Sequence, residues 1–318
     1  MSESIVRDWS FGPFRRHESS PILTPQPDTF YSKAIYNPCV LLQDSAYHLL
    51  FRAEAEGDPC SGRVGLAHSQ NGVHFTIEPE PILVPEHEYE AQGCEDPRLV
   101  RFGDTYVLTY VGKNGRYGEG HICLATSTDL RRWQKHGVAL HPRPGRWNSG
   151  QVKAAVVSPV QINGRYVMFY LGEERPWHTA IGLAFSDDLR HWQEPEDSLV
   201  LSPRPGCFDS QGVEPGPPPI LTDQGLLLVY NGWNVDQVHC TGAVLLDPQN
   251  PRRVLARSAE PILAPQEPWE LSGYVPNVIF SEGLTQQGDV WHLYYGGADR
   301  VIGLATCSQE ALPAFDEE

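Results

Sequence analysis

The sequence predicts an all-β fold: a five-bladed β-propeller with four-stranded antiparallel blades, closed by an N-terminal strand. Three observations carry this. One three-part pattern recurs five times at close to sixty-residue spacing. Each segment is short, rich in Val, Ile, Leu, Tyr and Phe, and bounded by turn residues. A fourth apolar element also occurs five times, and its first copy precedes the first complete repeat.

The first element is an apolar strand introduced by a polar residue and proline: YNPCVLLQDSA from Tyr36, EDPRLVRFGD from Glu95, VSPVQINGR from Val157, GPPPILTDQG from Gly216 and VPNVIFSEG from Val275. The second is aromatic-rich: YHLLFRAE from Tyr47, YVLTYVGK from Tyr106, YVMFYLGE from Tyr166, LLLVYNGW from Leu226 and WHLYYGGA from Trp291, with starts 59, 60, 60 and 65 residues apart. Between these two, QDSA, FGDT, INGR, TDQG and QQGD are hairpin signals. The third is a small-residue strand: GLAHS from Gly65, CLATS from Cys123, GLAFS from Gly182, GAVLL from Gly242 and GLATC from Gly303, spaced by 58, 59, 60 and 61. The fourth reads PILTP at Pro21, PILVP at Pro81, VALHP at Val138, LVLSP at Leu199 and PILAP at Pro261. Because the Pro21 copy comes first, it is expected to complete the last blade. Five four-stranded units at this period define a propeller. A β-sandwich or stacked barrels predict no five copies in phase, and a solenoid fits the N-terminal closing strand poorly.

The chain is thus expected to be one domain over residues 1–318, with blades near 34–85, 94–142, 151–203, 214–265 and 274–310 plus 20–26. NGVHF (71–75), TDLRRW (128–133) and DDLRHW (187–192) read as turns followed by aromatic anchors. Trp133 and Trp192 are expected in the inter-blade core.

Of 318 residues, 40% are hydrophobic and 20% charged, with 29 Gly, 28 Pro and only 2 Met. That balance suits short strands and sharp turns. A net charge of −16 opposes nucleic-acid and anionic-membrane binding. The seven cysteines form no CxxC pair, so neither a zinc site nor a full disulfide framework is expected. The N-terminal residues carry no apolar h-region and no stretch reaches transmembrane length, so a cytoplasmic protein is expected.

In a propeller the first strands line the central channel, and polar residues near their starts converge at one mouth. The copies contribute Asn37; Glu95, Asp96 and Arg98; Lys153 and Ser158; Glu214; and Asn277. The ends of the second strands add Arg52, Glu54, Lys113, Glu173, Asn231 and Asp299. Charges inside strands are costly unless paired. Such pairs can simply seal the channel. Yet the residues differ from copy to copy at matching positions, which packing alone does not require. Two carboxylates facing one cavity are what glycoside cleavage needs, and Tyr36, Tyr110, Trp177, Trp233 and Tyr274 are candidates to stack on sugar faces. GxSxG, HExxH, P-loop and Rossmann motifs are absent. His68, His121, His178 and His239 stand alone in the sequence.

The chain resembles glycoside hydrolase family 130, the β-mannoside phosphorylases and β-mannosidases. The carrying motifs are YNPCVLLQD with LLFRAE, CEDPRLVRFGDTYVLTY, VKAAVVSPVQINGRYVMFY, GPPPILTDQGLLLVYNG, and YVPNVIFSEG with LYYGGADRVIGLAT, in order from about residue 34 to 307. The resemblance implies inversion, with Asp96 as the acid, acting in phosphorylases through a substrate hydroxyl. It implies that Asn37, Arg52, Arg98 and Asp299 hold the non-reducing sugar, and that Lys153 lies near the phosphate position.

Two departures matter. Phosphorylases of the family carry His in a YHG motif, where this chain has Asn231. They carry Arg shortly after the strand equivalent to YVMFY, where Leu171, Gly172 and Glu173 follow. A carboxylate there repels phosphate and offers a base for water. The expectation is therefore an inverting glycosidase of β-linked mannosides with Glu173 or Glu214 as base, Glu174 being a less favoured neighbour. Glu95, Lys153, Asn231 and Asn277 join the substrate-binding set. The alternatives are a phosphorylase releasing mannose 1-phosphate, for which Lys113, Lys153 and Arg175 form a basic cluster, a furanosidase acting on arabinan or fructan, and a propeller that binds carbohydrate without turnover. No cofactor or metal is expected. The expected partners are a mannoside or oligosaccharide and, for the phosphorylase, inorganic phosphate.

Overall fold

The structure, a computed structural model, describes residues 9–115 and 120–308. The end of the last expected blade, residues 309–310, lies outside them. The fold is nearly all β and built from antiparallel sheets. The first sheet contains Ala34–Gln43, Ala46–Glu54, Arg63–Ser69 and Thr76–Ile77 in that order, and the second contains Gly93–Phe102, Thr105–Lys113, Gly120–Ser127 and Gln134–Leu140. Two further units follow, around Tyr166–Arg175 and Gly225–Trp233. A parallel bridge from Thr179 to Gly212 joins them into one sheet. The last sheet holds Ile279–Gln287, Val290–Gly297 and Val301–Ser308, with the early segment Arg15–Arg16 as its outer strand.

Five apolar clusters bind each unit to the next, and one of them spans last to first. Cys39, Leu50 and Leu66 meet Leu99, Leu108 and Tyr110. Val100 and Val107 meet Val152 and Met168. Val156 and Phe169 meet Val213 and Leu228. Leu227 and Val229 meet Ile279 and Leu293. Tyr294 and Ile302 meet Ile35 and Leu49. Trp192 is buried in the second of these clusters and Trp133 packs on the first, as the turn-plus-anchor motif predicts.

The P-I-L element is the second half of a broken outer strand. Leu83 bridges Val64 and Leu263 bridges Thr241, beyond the short strands Thr76–Ile77 and Val254–Arg257. The copy at Pro21 behaves alike: Leu23 bridges Ile302, and the Ile22 amide donates to the Ile302 carbonyl at 2.8 Å.

Three first strands sit in a different register from the one expected. Four of the five first strands carry a bulge where the pairing slips. In the first two sheets the slip falls between Tyr36 and Cys39 and between Glu95 and Arg98, at the NP and DP dipeptides. In the third it falls between Lys153 and Val156, so Ala154, not Ser158, matches Asn37 and Asp96. Asn37, Asp96 and Ala154 share a left-handed backbone near φ 50°. In the last sheet Phe280 pairs with Gly296, so Ser281, not Asn277, occupies that position. In the fourth unit Glu214 pairs with Asn231, and the prolines after it split the strand into Gly212–Pro215 and Ile220–Thr222.

A second repeat precedes each first strand: Phe30-Tyr31, Tyr89-Glu90, Trp147-Asn148, Phe208-Asp209 and Trp269-Glu270. The aromatic packs against the middle of the sheet, and a Cβ on Gly182 would lie 2.4 Å from the Trp147 ring. The polar partner meets a second-strand phenol. Tyr110 donates to Glu90 at 2.7 Å, Tyr230 to Asp209 at 2.7 Å and Tyr295 to Glu270 at 2.9 Å, and Asn148 donates to Tyr170 at 3.1 Å. Lys135, Arg257 and Arg16 neutralise the three acids at 2.5, 2.5 and 2.6 Å. In the first sheet the phenol is replaced by Phe51, and the acid is replaced by Tyr31. A buried carboxylate without its phenol would lack a donor, so the two changes compensate each other.

Candidate active site

One residue of each first strand faces a single cavity. The register matches Tyr36, Glu95, Lys153, Glu214 and Phe280, and all line a cavity of about 240 Å³. Second-strand residues Arg52, Lys113, Glu173 and Trp233 extend its wall, and Asn37, Asp96, Gln151, Thr179, His239 and Asp299 add to its polar lining. Of the residues expected from the sequence, Asn37, Arg52, Glu95, Asp96, Lys153, Glu173, Glu214 and Asp299 thus converge.

Arg52 is the hub of one side. Its guanidinium lies 3.1 Å from Glu54, 3.2 Å from Glu95 and 3.3 Å from Asp96, and it donates to the Ser61 carbonyl at 2.7 Å. Burial works against its charge, but Glu95, Tyr36, Asp96 and Glu54 outweigh that and hold its proton more tightly. Lys153 is the hub of the other side. Burial again opposes the charge, and Glu214, Asp96, Glu95 and Glu173 overcome it. Burial pushes Glu214 up to about 7, tempered by Lys153 and reinforced by Asp96. Burial likewise pushes Asp299 up to about 6. Glu173 is held by a 3.0 Å hydrogen bond from Gln151.

Arg98, Asn231 and Asn277 do not line the cavity. Arg98 is fully buried beneath its floor, 2.6 Å from Glu282 and 3.8 Å from Glu214. Asn231 is spent on the backbone of Ser281: it donates to that carbonyl at 3.0 Å and accepts from that amide at 2.8 Å. Asn277 precedes the last first strand, where its carbonyl accepts from the His239 amide at 3.0 Å. Ser158 is buried and bonds the Val160 carbonyl. Among the aromatics, Tyr36, Trp177 and Trp233 line the cavity, whereas Tyr110 is core. Tyr274 is exposed, with Lys33 4.6 Å over its ring. Glu174 and Arg175 are exposed and off the wall.

Sequence reasoning missed Glu282, Gln151, Thr179 and Phe280, and passed over His239. Glu282 accepts from Asn37 at 2.6 Å, and burial pushes it up to about 8. Phe280 was hidden by the register error. His239 stacks on Trp233 with ring centroids 5.1 Å apart, and burial pulls it down to about 4. Outside the cavity, Glu86, His87 and Glu90 bring possible metal-ligand atoms within 4.8 Å of one another, but Glu90 is already bonded by Lys135 and Tyr110.

A cavity lined by several carboxylates, cations and aromatic rings suits a glycoside-processing enzyme. The family model described as β-1,4-mannooligosaccharide phosphorylase matches residues 14–317, and the chain belongs to glycoside hydrolase family 130. It is 37% identical over 298 residues to a 1,2-β-oligomannan phosphorylase of Thermoanaerobacter sp. (strain X514), covering 92% of this chain and 96% of the relative. The solved β-1,2-mannobiose phosphorylase of Listeria innocua, in complex with β-1,2-mannobiose, superposes with a TM-score of 0.82 at 26% identity, over 94% of this chain and 98% of that one. Another solved structure comes from work on GH130 glycoside hydrolases that target β-1,2 mannosidic linkages in Candida mannan. It superposes with a TM-score of 0.84 at 31% identity, over 99% of both chains. No helix among the described residues is long and apolar enough to cross a membrane.

Proposed function

We propose that this chain is an inverting β-mannosidase acting on β-1,2-linked mannosides, folded as one five-bladed propeller closed by its N-terminal segment. The cyclic order of the inter-sheet clusters supports the fold. The linkage follows the names of the relatives. The seven free thiols suit a cytoplasmic setting.

One observation carries the preference for water. Among the described residues the cavity presents three cations, Arg52, Lys113 and Lys153, against five carboxylates, Glu95, Asp96, Glu173, Glu214 and Asp299. Lys153, matched by resemblance to the phosphate position, is surrounded by four of them. With Asp96 protonated as the acid and Glu214 ionised as the base, four carboxylates still face three cations, so a phosphate dianion entering there is repelled. A neutral water is not repelled.

In this reading Asp96 delivers a proton to the leaving oxygen, directly or through a sugar hydroxyl. Glu214 takes a proton from water attacking the anomeric carbon from the opposite face, the C–O bond breaks, and the sugar leaves inverted. Glu214 suits the base because its proton affinity lies near neutral pH. Glu173 is the neighbouring carboxylate that helps hold Lys153. Phosphorolysis is the second reading, favoured by the names of the curated relatives. Incubation with β-1,2-mannobiose in phosphate-free buffer tests the choice. Mannose release without phosphate supports hydrolysis, and strict phosphate dependence supports the second reading.

A further inference from the structure

Arg98 is the best-connected side chain under the site, yet it lines no part of the cavity. Its Nη1 donates to the Asp96 carbonyl at 3.2 Å. Its Nε donates to the Gly216 carbonyl at 3.0 Å and its Nη2 to the Pro215 carbonyl at 3.4 Å. Its Nη1 also lies 2.6 Å from Glu282, which in turn accepts from Asn37. One guanidinium therefore reaches across the channel from the strand of Asp96 to the strand of Glu214. Through Glu282 and Asn37 it also reaches the last and first sheets.

The backbone at both ends needs such a brace. Asp96 sits at φ 50° in a bulge, where the ladder is interrupted. Pro215 and Gly216 lie where the prolines end the strand Gly212–Pro215. An inverting enzyme must hold its two carboxyl groups about 6.5–9.5 Å apart. Hydrogen bonds to neighbouring strands of the same blade do not fix that separation, because the two residues stand on different blades.

We propose that Arg98 is a positioning residue that sets the spacing of Asp96 and Glu214 by binding the backbone of both strands, and that it does not touch the sugar. This rests on the reading of Asp96 and Glu214 as acid and base. Its planar fork is what matters, since Lys offers a point charge without the fixed donor geometry.

The test compares wild type with Arg98→Lys and with the double variant Arg98→Met/Glu282→Gln, which removes both buried charges so that neither is left unpaired. Each is assayed for kcat and KM on β-1,2-mannobiose, for its pH profile and for thermal unfolding. The expected result is a folded protein whose kcat falls about 10- to 100-fold while KM changes less than about 3-fold. In the double variant the acid limb also moves to higher pH, because Glu214 loses a cation that favours its ionised form. Wild-type kcat in either folded variant, or a rise confined to KM, overturns the proposal. Failure of both variants to fold also overturns it, assigning Arg98 to stability alone. A wild type inactive on every mannoside, with or without phosphate, instead overturns the functional reading on which it rests.

Discussion

Arg52 and Asp96 belong to neighbouring sheets, and their side chains meet at 3.3 Å across the cavity wall. Arg52 is itself stacked over Tyr36, 4.8 Å from the ring centroid, and tied to Ser61 and Glu54. Asp96 is thereby fixed at the mouth by a group that cannot deprotonate. Asp96→Asn keeps the shape of the contact and removes the acid. It is expected to lower mannoside cleavage about 10²- to 10⁴-fold, with the unfolding midpoint nearly unchanged. Steady-state rates and a thermal melt on the same preparation check both.

Glu214 is pushed up to about 7 by burial. As the base it must be ionised, so kcat/KM is expected to fall about tenfold per pH unit as pH drops below 7. Glu214→Gln is expected to lower activity about 10²-fold or more, while Glu173→Gln keeps a limb near pH 7. A profile unchanged in Glu214→Gln contradicts the assignment.

The same burial makes stability depend on pH. Asp299, Glu214 and Glu282 all hold protons more tightly folded than unfolded, at about 6, 7 and 8. Their contribution is fully present below the unfolded carboxylate range near 4. It is lost as pH rises through these folded values. Denaturation of the substrate-free protein at pH 5 and pH 8 is expected to show this loss, and Glu282→Gln to reduce it.

The acid–phenol pins give a stability test away from the cavity. Glu90→Ala removes the buried carboxylate that both Lys135 and Tyr110 bond, leaving Lys135 its second carboxylate, Glu86, at 2.9 Å, and is expected to cost about 1–3 kcal/mol. Phe51→Tyr adds a hydroxyl where no acid waits, and is expected to cost about 1–3 kcal/mol. Urea titration measures both.

Trp177 lines the cavity yet is 52% exposed. Trp177→Ala is expected to raise KM for longer mannosides several-fold, from about 0.5–1.5 kcal/mol of lost ring contact. Thermal stability should stay within a degree or two.

The repeat made the strands legible because hydrophobic period and turn residues recur together. Register was legible only where proline marks the bulge. Asn37-Pro38 and Asp96-Pro97 carry that mark, and Asp96 and Arg52 were found with it. Lys153-Ala154-Ala155 carries none, and the nearby Ser158-Pro159 drew the alignment away. Pro276-Asn277 did the same in the last sheet, hiding Phe280 and Glu282. Arg98 was visible as a charge in a strand, but its direction depends on the bulge, which turned it under the floor. The aromatic–acid repeat before each first strand escaped notice because its members change identity together, as Tyr31 with Phe51 and Glu90 with Tyr110.

Because carboxylates outnumber cations among the described residues of the cavity, water is the expected acceptor. The most direct measurement incubates the enzyme with β-1,2-mannobiose in the presence and absence of inorganic phosphate and follows mannose and mannose 1-phosphate. Mannose released at the same rate in both, with no mannose 1-phosphate, is the predicted result. Mannose 1-phosphate formed at a rate set by phosphate, with no cleavage in its absence, would contradict it.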